Sequence, residues 1–284
     1  MDPGADVTIV VPTLGRVERA LTLAARLESL RPSPQRALFV FQVPGELSEW
    51  QRRNQSPGSE GILAPARGSS VARNAGAKHA KTKYLAFLDD DCSPTREDWL
   101  TEITKPLLTH GVLLATGPVL GWVNASSFLK GSRRAFMLST PFLLSWGNPE
   151  ARDSSFCRTV AGGNFAVQRS VFTESGGFSE AFGSPSLYEE TEFSLRVAQR
   201  HRRRIWHTSG APVAHDQEAS GGMRMVSSTP SEDFLIAQKS LLFRAVYKND
   251  VAEVVISLFK ALRRGFVFIN SLSSKGRAKR QAQC

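Results

Sequence analysis

Tyr84-Leu85-Ala86-Phe87-Leu88-Asp89-Asp90-Asp91 is the stretch that decides how this chain is read. Five mostly apolar residues without polar alternation predict a short strand buried on both faces. The strand ends in three carboxylates. In an open α/β sheet, ligands collect at the carboxyl ends of strands. Adjacent Asp residues repel one another unless a cation neutralises them, and Mg²⁺ is commonly held by one or two carboxylates together with substrate phosphates. These residues alone allow two readings. One is a metal–phosphate site at a strand end. The other is a solvated acidic turn ahead of a helix that starts near Ser93-Pro94-Thr95 and Glu97.

The flanking sequence supplies the sheet. Val7-Thr8-Ile9-Val10-Val11, stopped by Pro12, reads as the first buried strand. Val17, Ala20, Leu21, Ala24 and Leu27 then follow helical spacing. Ala37 to Val43 reads as a second strand, ended by Pro44-Gly45, with residues 46–61 polar and irregular and Ile62-Leu63 as a short edge strand. A helix from Ser69 or Ser70 to about Ala80 leads into the Tyr84 strand. This βαβαβ order predicts an α/β fold with a mostly parallel sheet, flanked by helices and joined by right-handed crossovers.

Beyond Asp91, Asp98 to His110 reads as helix and Leu113 to Gly117 as strand. Residues 121–158 mix aromatic and polar character. Val160 to Val167 resumes strand character, and Val171–Ser175 is a helical turn ahead of Gly176-Gly177-Phe178. Tyr188 to about Gln199 opens with acids and becomes helical. Arg204–His207 and Pro212–His215 read as two short strands.

At 284 residues there is ample material for a core, and 41% hydrophobic with 22% charged residues are ordinary globular values. Three widely spaced cysteines (Cys92, Cys157, Cys284) form neither a disulfide framework nor a metal-ligand pattern, so a reducing, cytoplasmic setting is expected. No apolar run reaches the roughly 18 residues that span a bilayer. The net charge of +10 is concentrated at one end: from Phe234 to Cys284 ten Lys/Arg face two acids, Asp250 and Glu253. Val251, Val254, Val255, Leu258, Leu262 and Ile269 share one face there, an amphipathic helix with a basic side. Such a tail either packs on the domain or seats on an anionic membrane surface, here the inner face. The expected organisation is a domain over 1–230, with halves 1–118 and 119–230, and a basic helical tail over 231–284.

The loops after the strands exclude several classes. There is no G-x-G-x-x-G dinucleotide fingerprint, no P-loop and no H-E-x-x-H zinc motif. Nucleic-acid binding calls for basic and aromatic residues interleaved on one face, whereas here the bases are terminal and the middle concentrates acids. A nucleotidyltransferase would need a Gly-rich, Lys-containing loop after the first strand, where this chain has Thr13-Leu14-Gly15-Arg16.

Taken in order, the motifs resemble glycosyltransferase family two, with its GT-A fold. The features that carry the resemblance are Val7–Arg16, Ala72-Arg73-Asn74-Ala75-Gly76, Phe87-Leu88-Asp89-Asp90-Asp91 with Trp99-Leu100, Gly162-Gly163-Asn164-Phe165, Gly176-Gly177-Phe178, Glu189-Glu190-Thr191-Glu192-Phe193 with Leu195-Arg196, and His215. They span roughly residues 7–217. The resemblance implies an inverting transferase of the hexosyl or deoxyhexosyl class. Such an enzyme takes a nucleotide-diphosphate sugar, UDP- or dTDP-linked first and GDP-linked as the further option, and a glycan or lipid-linked acceptor. It implies a divalent cation, Mn²⁺ or Mg²⁺, on Asp91 and His215, with Asp89 serving the ribose and Asp90 open between the two roles. Pro12, Thr13, Arg16 and Arg73 fall where the family holds the nucleotide, and Gly163 and Asn164 near the donor sugar. Where relatives carry an Asp-rich base contact after strand two, this chain has Gln42, whose amide can bond a pyrimidine edge. The family's Glu-Asp pair is Glu189-Glu190 here, so Glu190 becomes the general base on an arm one methylene longer. That change also keeps open a relative that binds without catalysing.

Residues 218–230, with Gly221-Gly222 as hinge and Arg224 facing phosphate, are expected to close over the donor. Limited proteolysis should then show slower cleavage within this segment when nucleotide and Mn²⁺ are added together. Unchanged cutting there would remove the lid.

Overall fold

The computed structural model describes residues 6–121, 152–157, 159–180, 189–201 and 205–216. The expected lid over 218–230 and the basic tail over 231–284 lie outside the described residues, as does most of 121–158. Four parallel strands form the first half: β1 (Val7–Thr13), β2 (Arg36–Phe41), β3 (Ser59–Leu63) and β4 (Tyr84–Leu88), in the spatial order β3-β2-β1-β4. The chain winds outward from β1 to β2 and β3, then returns to place β4 on the other side of β1. The order therefore reverses between β1 and β4, and a crevice opens at the carboxyl ends of those two strands.

Alternation along each strand divides its side chains between two cores. Val7, Ile9 and Val11 of β1, with Tyr84, Ala86 and Leu88 of β4, pack with Leu23 and Leu27 of α1 (Val17–Leu27) and Ile103 of α4 (Trp99–Thr109). Val10, Leu85 and Phe87 face the other way, towards Ala72 and Ala77 of the intervening α3 (Ser69–His79). Burial on both faces is why these strands read as unbroken apolar runs.

The second half continues the same sheet. β9 (Asn164–Gln168) runs antiparallel beside β4, followed by β6 (Leu114–Thr116), β10 (Ile205–His207) and β8 (Ser155–Cys157), completing eight strands. Phe87 of β4 stacks on Phe165 of β9 with ring centroids 4.7 Å apart. A three-stranded sheet joins β5 (Cys92–Pro94), β11 (Val213–His215) and β7 (Val119–Leu120). The remaining helices are α5 (Arg169–Glu174) and α6 (Glu189–His201).

Three local expectations are corrected. Residues 46–61 are not all irregular: α2 spans Pro44–Arg53. Pro44 reads along the chain as a strand terminator, but its fixed φ also suits the first helical turn. The helix buries one large residue, Trp50, against Phe39 and Phe41 at 5.4 and 5.6 Å, so its apolar period is too sparse to show in sequence. Ser93-Pro94 belongs to β5, not to a helix start, so the Asp triplet caps no helix; α4 begins at Trp99. The strand expected over 160–167 begins only at Asn164, because Gly162 and Gly163 lie in the turn before it.

Gly76 brings α3 close to the sheet. A Cβ there would collide with Val10 Cγ1 and stand 3.1 Å from Val40 Cγ2. Gly76→Ala is therefore expected to destabilise by about 1–3 kcal/mol through overpacking, although Ala is favoured over Gly in a helix by about 1 kcal/mol. In urea unfolding, Val10→Ala in the same chain should offset part of that loss. Additive costs in the double variant would show that the helix does not approach there.

Candidate active site

The crevice between β1 and β4 is lined by the acids that end β4 and by the loop that leaves β1. Thr13 Oγ1 donates to Asp90 Oδ2 at 2.8 Å. Arg16 Nη1 donates to Asp90 Oδ1 at 2.8 Å and to Asp91 Oδ2 at 2.7 Å, all of these groups being buried. The turn that carries Arg16 back over the strand end needs Gly15 at φ 70. Asp90, which the sequence left open, points inward onto Thr13 and Arg16. Burial raises its carboxyl to about 6, with repulsion from Asp91 adding to the rise and Arg16 and Thr13 working against it.

Asp91 has two faces. Its Oδ2 meets Arg16, and its Oδ1 lies 3.5 Å from His215 Nε2. β11 brings His215 there by pairing antiparallel with β5, and the backbone N–H of Asp216 donates to the Asp91 carbonyl at 2.9 Å. The two sequence-distant halves of the expected metal set thus converge in the small sheet.

Arg73, in the second turn of α3, organises the other side. Its Nη2 donates to Asp89 Oδ1 at 2.7 Å, and its Nη1 lies 3.0 Å from Glu189 Oε1 and 3.1 Å from Glu190 Oε1. Ser69 Oγ donates to the same Glu189 oxygen at 2.7 Å. Burial opposes the charge on Arg73, but Asp89, Glu190 and Glu189 outweigh it, so its pKa is raised and the guanidinium stays charged. The cation also lies 5.5 Å from the centre of the Phe178 ring. Asn74 beside it clamps the backbone of Phe178: its Nδ2 donates to the Phe178 carbonyl and the Phe178 N–H donates to its Oδ1, both at 2.9 Å. Arg196, four residues after Glu192, is paired with it and donates to the carbonyl of Gly177 at 2.6 Å. In this way the Ala-Arg-Asn, Gly-Gly-Phe and acidic-helix motifs form one assembly.

Glu190 heads α6, with its side chain 19% exposed, whereas Glu189 is buried. Burial is the largest influence on the Glu190 carboxyl. Repulsion from Glu189 and Asp89 adds to it, the Arg73 charge offsets part, and the pKa is pushed up to about 8. Such a carboxyl accepts a proton near neutral pH. The glycine pair admits these acids to the turn before β9. A Cβ on Gly162 would collide with the Glu190 carboxylate, and one on Gly163 would lie 3.1 Å from Asp89 Oδ2 and 2.7 Å from Cys92 Sγ.

Not every expected residue faces the crevice. Asn164 is fully buried beneath it: Trp99 Nε1 donates to its Oδ1 at 3.1 Å, and its Nδ2 donates to the carbonyls of Pro118 and Ala211 at 2.9 and 2.8 Å. Those bonds pin strands and loops together and engage both ends of the amide. Gln42 bridges two loops, donating to the Thr13 carbonyl at 3.3 Å and accepting from the Gly68 N–H at 2.7 Å. Pro12 is buried in β1 beside Val40. Ser69 carries no site signal in the sequence, and Glu189, Asn74 and Phe178 stand there only as motif members, without an assigned role. Their roles depend on partners up to 120 residues away, which no local pattern signals.

The acids exceed the cations. Asp89, Asp90, Asp91, Glu189 and Glu190 are met by two guanidiniums, Arg16 and Arg73. Glu189 Oε2 is buried with no hydrogen-bond partner among the described residues. Asp91 and His215 present one oxygen and one nitrogen to a common point. That donor set, with this surplus of negative charge, fits a divalent cation.

Residues 44–175 match the model of Glycosyl transferase family 2. Solved structures resemble it in fold. Mannosyltransferase PcManGT from Pyrobaculum calidifontis, in complex with GDP-Man and Mn²⁺, matches with TM-score 0.60 and 14% identity over 96% of this chain and 79% of that one. S. aureus TarS in complex with UDP-GlcNAc matches with TM-score 0.61 and 13% identity over 93% and 73%. GalNAc-T7 with UDP, GalNAc and Mn²⁺ matches with TM-score 0.57 and 16% identity over 83% and 48%. At these identities the likeness is one of fold, the GT-A glycosyltransferase fold. Sequence comparison with curated proteins returns no match.

Removing the shared cation exposes its importance. Arg73→Met leaves Asp89, Glu189 and Glu190 without their counter-charge, and loss of one partner from a buried ionic cluster costs about 3–5 kcal/mol. The cost in urea unfolding should be larger at pH 8 than at pH 5, because carboxyls that take up protons no longer need a cation. A pH-independent cost would locate the effect in packing.

Proposed function

We propose that this chain is an inverting, metal-dependent glycosyltransferase that moves a sugar from a nucleotide diphosphate onto a hydroxyl of a glycan or lipid-linked acceptor. The observation that carries this reading is the single guanidinium of Arg73, which holds both Asp89, at the end of the nucleotide-side strand β4, and Glu190, at the head of α6. A direct displacement needs a base on the acceptor side of the sugar and charge compensation on the departing diphosphate. Glu190 is the proposed base. It is partly exposed and its pKa is raised, so it takes the proton of the attacking hydroxyl. Asp91 and His215 would hold the cation, which when bound supplies Lewis-acid charge compensation at the diphosphate.

Asp89 is the most exposed carboxylate of the triplet, at 31%, and is the one proposed to meet the ribose. Arg16 neutralises Asp90 and Asp91, and Thr13 and Gln42 shape the floor of the nucleotide side. Mn²⁺ accompanies PcManGT and GalNAc-T7, which supports Mn²⁺ or Mg²⁺ here. The neighbours' complexes with GDP-Man and UDP-GlcNAc support a nucleotide-sugar donor, with the UDP and dTDP series tested first for this chain. No helix among the described residues is long and apolar enough to cross a membrane. The basic segment 231–284 is proposed to bring the domain to an anionic surface on the cytoplasmic side, where a lipid-linked acceptor is presented.

A thermal-shift panel of nucleotide sugars with and without Mn²⁺ tests this reading. One nucleotide series should raise the melting temperature, and Asp91→Ala should abolish the Mn²⁺-dependent part. Glu190→Gln should keep that binding and lower kcat by about 10²–10⁴-fold. Because the base works only when ionised, the rate should fall as pH drops below about 8. No shift with any nucleotide diphosphate, or full activity in Glu190→Gln, would overturn it.

A further inference from the structure

Asp91 divides its oxygens between two environments. Arg16 Nη1 takes Oδ2 at 2.7 Å, which leaves Oδ1 facing His215 Nε2 at 3.5 Å. A third donor stands at the same oxygen: the buried thiol of Cys92, with Sγ 4.0 Å from Asp91 Oδ1. The small sheet puts it there, because β11 runs antiparallel to β5 and pairs His215 directly with Cys92. Residues directly opposite in an antiparallel pair present their side chains on the same face. The ligand atoms of Asp91, Cys92 and His215 all lie within 4.8 Å of one another.

The oxygen–nitrogen spacing is close to that of a coordination shell, and the sulfur stands further from the oxygen than a bound thiolate would. Around a tetrahedral zinc ion, an oxygen and a nitrogen ligand stand roughly 3.3 Å apart, and an oxygen and a sulfur ligand roughly 3.5 Å apart. Closing the shell requires the ligand side chains to move towards a common centre from their present spacing, within 4.8 Å of one another. One oxygen, one nitrogen and one sulfur are not the set that Mg²⁺ or Mn²⁺ prefers, since those ions favour oxygen, whereas thiolate with imidazole suits zinc-like ions. The sugar-transfer reading gives Cys92 no task.

We propose that Asp91, Cys92 and His215 form a three-ligand site for a thiolate-accepting divalent cation of the Zn²⁺ type, with its fourth position open to water or a diphosphate oxygen. Three protein ligands and one open position are the arrangement of reactive rather than purely structural zinc sites. On binding, the Cys92 S–H bond breaks, the proton passes to solvent, and the sulfur lone pair goes to the metal without change of oxidation state. The inference rests on the reading of this centre as a cation site and narrows it. Zn²⁺ and Mn²⁺ compete for one place, and the identity of the metal sets the state of the transferase.

Titration of the full-length, reduced protein with Co²⁺ reads the sulfur ligand directly. The expected result is a near-ultraviolet thiolate–cobalt charge-transfer band that saturates at one equivalent. It should be lost in Cys92→Ser, kept in Cys157→Ser, and displaced by Zn²⁺ at lower concentration than by Mn²⁺. X-ray absorption of the unaltered protein loaded with Zn²⁺ needs no variant, and should show one sulfur scatterer at about 2.3 Å. Co²⁺ bound in equilibrium dialysis without the band, a band that survives Cys92→Ser, or zinc without a sulfur neighbour would overturn the proposal while leaving the cation site standing. Failure of Co²⁺, Zn²⁺ and Mn²⁺ all to bind would overturn the cation site itself, and this inference with it.

Discussion

Arg73 brings one positive charge to three carboxylates, Asp89, Glu189 and Glu190, and the construction of the site depends on that shortage. A buried cation is stable only when its partners satisfy it, so α3 must hold Arg73 at one position against β4 and α6. Phe178 supplies the floor beneath the guanidinium, and Asn74 fixes the Phe178 backbone by two hydrogen bonds. Gly76 sets how close the helix can come. Burial first, and then this shortage, leave Glu190 readily protonated, because Glu189 and Asp89 repel added negative charge and the shared Arg73 offsets only part of it.

Arg16 plays the corresponding part on the other side of the crevice. It reaches from the end of β1 to Asp90 and Asp91, which makes the reversal of strand order between β1 and β4 an electrostatic junction as well as a topological one. The triplet is thereby divided by direction. Asp90 faces the interior, Asp91 faces β11, and Asp89 opens towards solvent.

Much of this frame was legible along the chain. Val7–Val11, Ser69 to about Ala80 and Tyr84–Leu88 announced themselves by apolar runs or helical period, because burial on two faces or on one stripe leaves a periodic mark. The helix over Pro44–Arg53 did not, since a single Trp50 anchors it. Asn164 was visible as part of a motif, but the direction of its amide was not. Both ends of an amide side chain can bond a ligand or the backbone equally well, and here three backbone and ring partners claim it. Cys92 carried no signal beside Asp91, because its partner His215 arrives from more than a hundred residues away.

The amino-acid sequence by itself determined the α/β class, the order of motifs that resembles a known family and the inventory of acids, since these depend on composition, period and order, which local chemistry writes directly. Only the tertiary structure decided which charges meet. Pairing Arg73 with Glu189 and Glu190, Arg16 with Asp90 and Asp91, and His215 with Cys92 depends on strand order and register. Those are set by packing of the whole core. A charge moved by a few ångströms within a buried site changes partner and protonation, and no stretch of sequence read alone contains that distance.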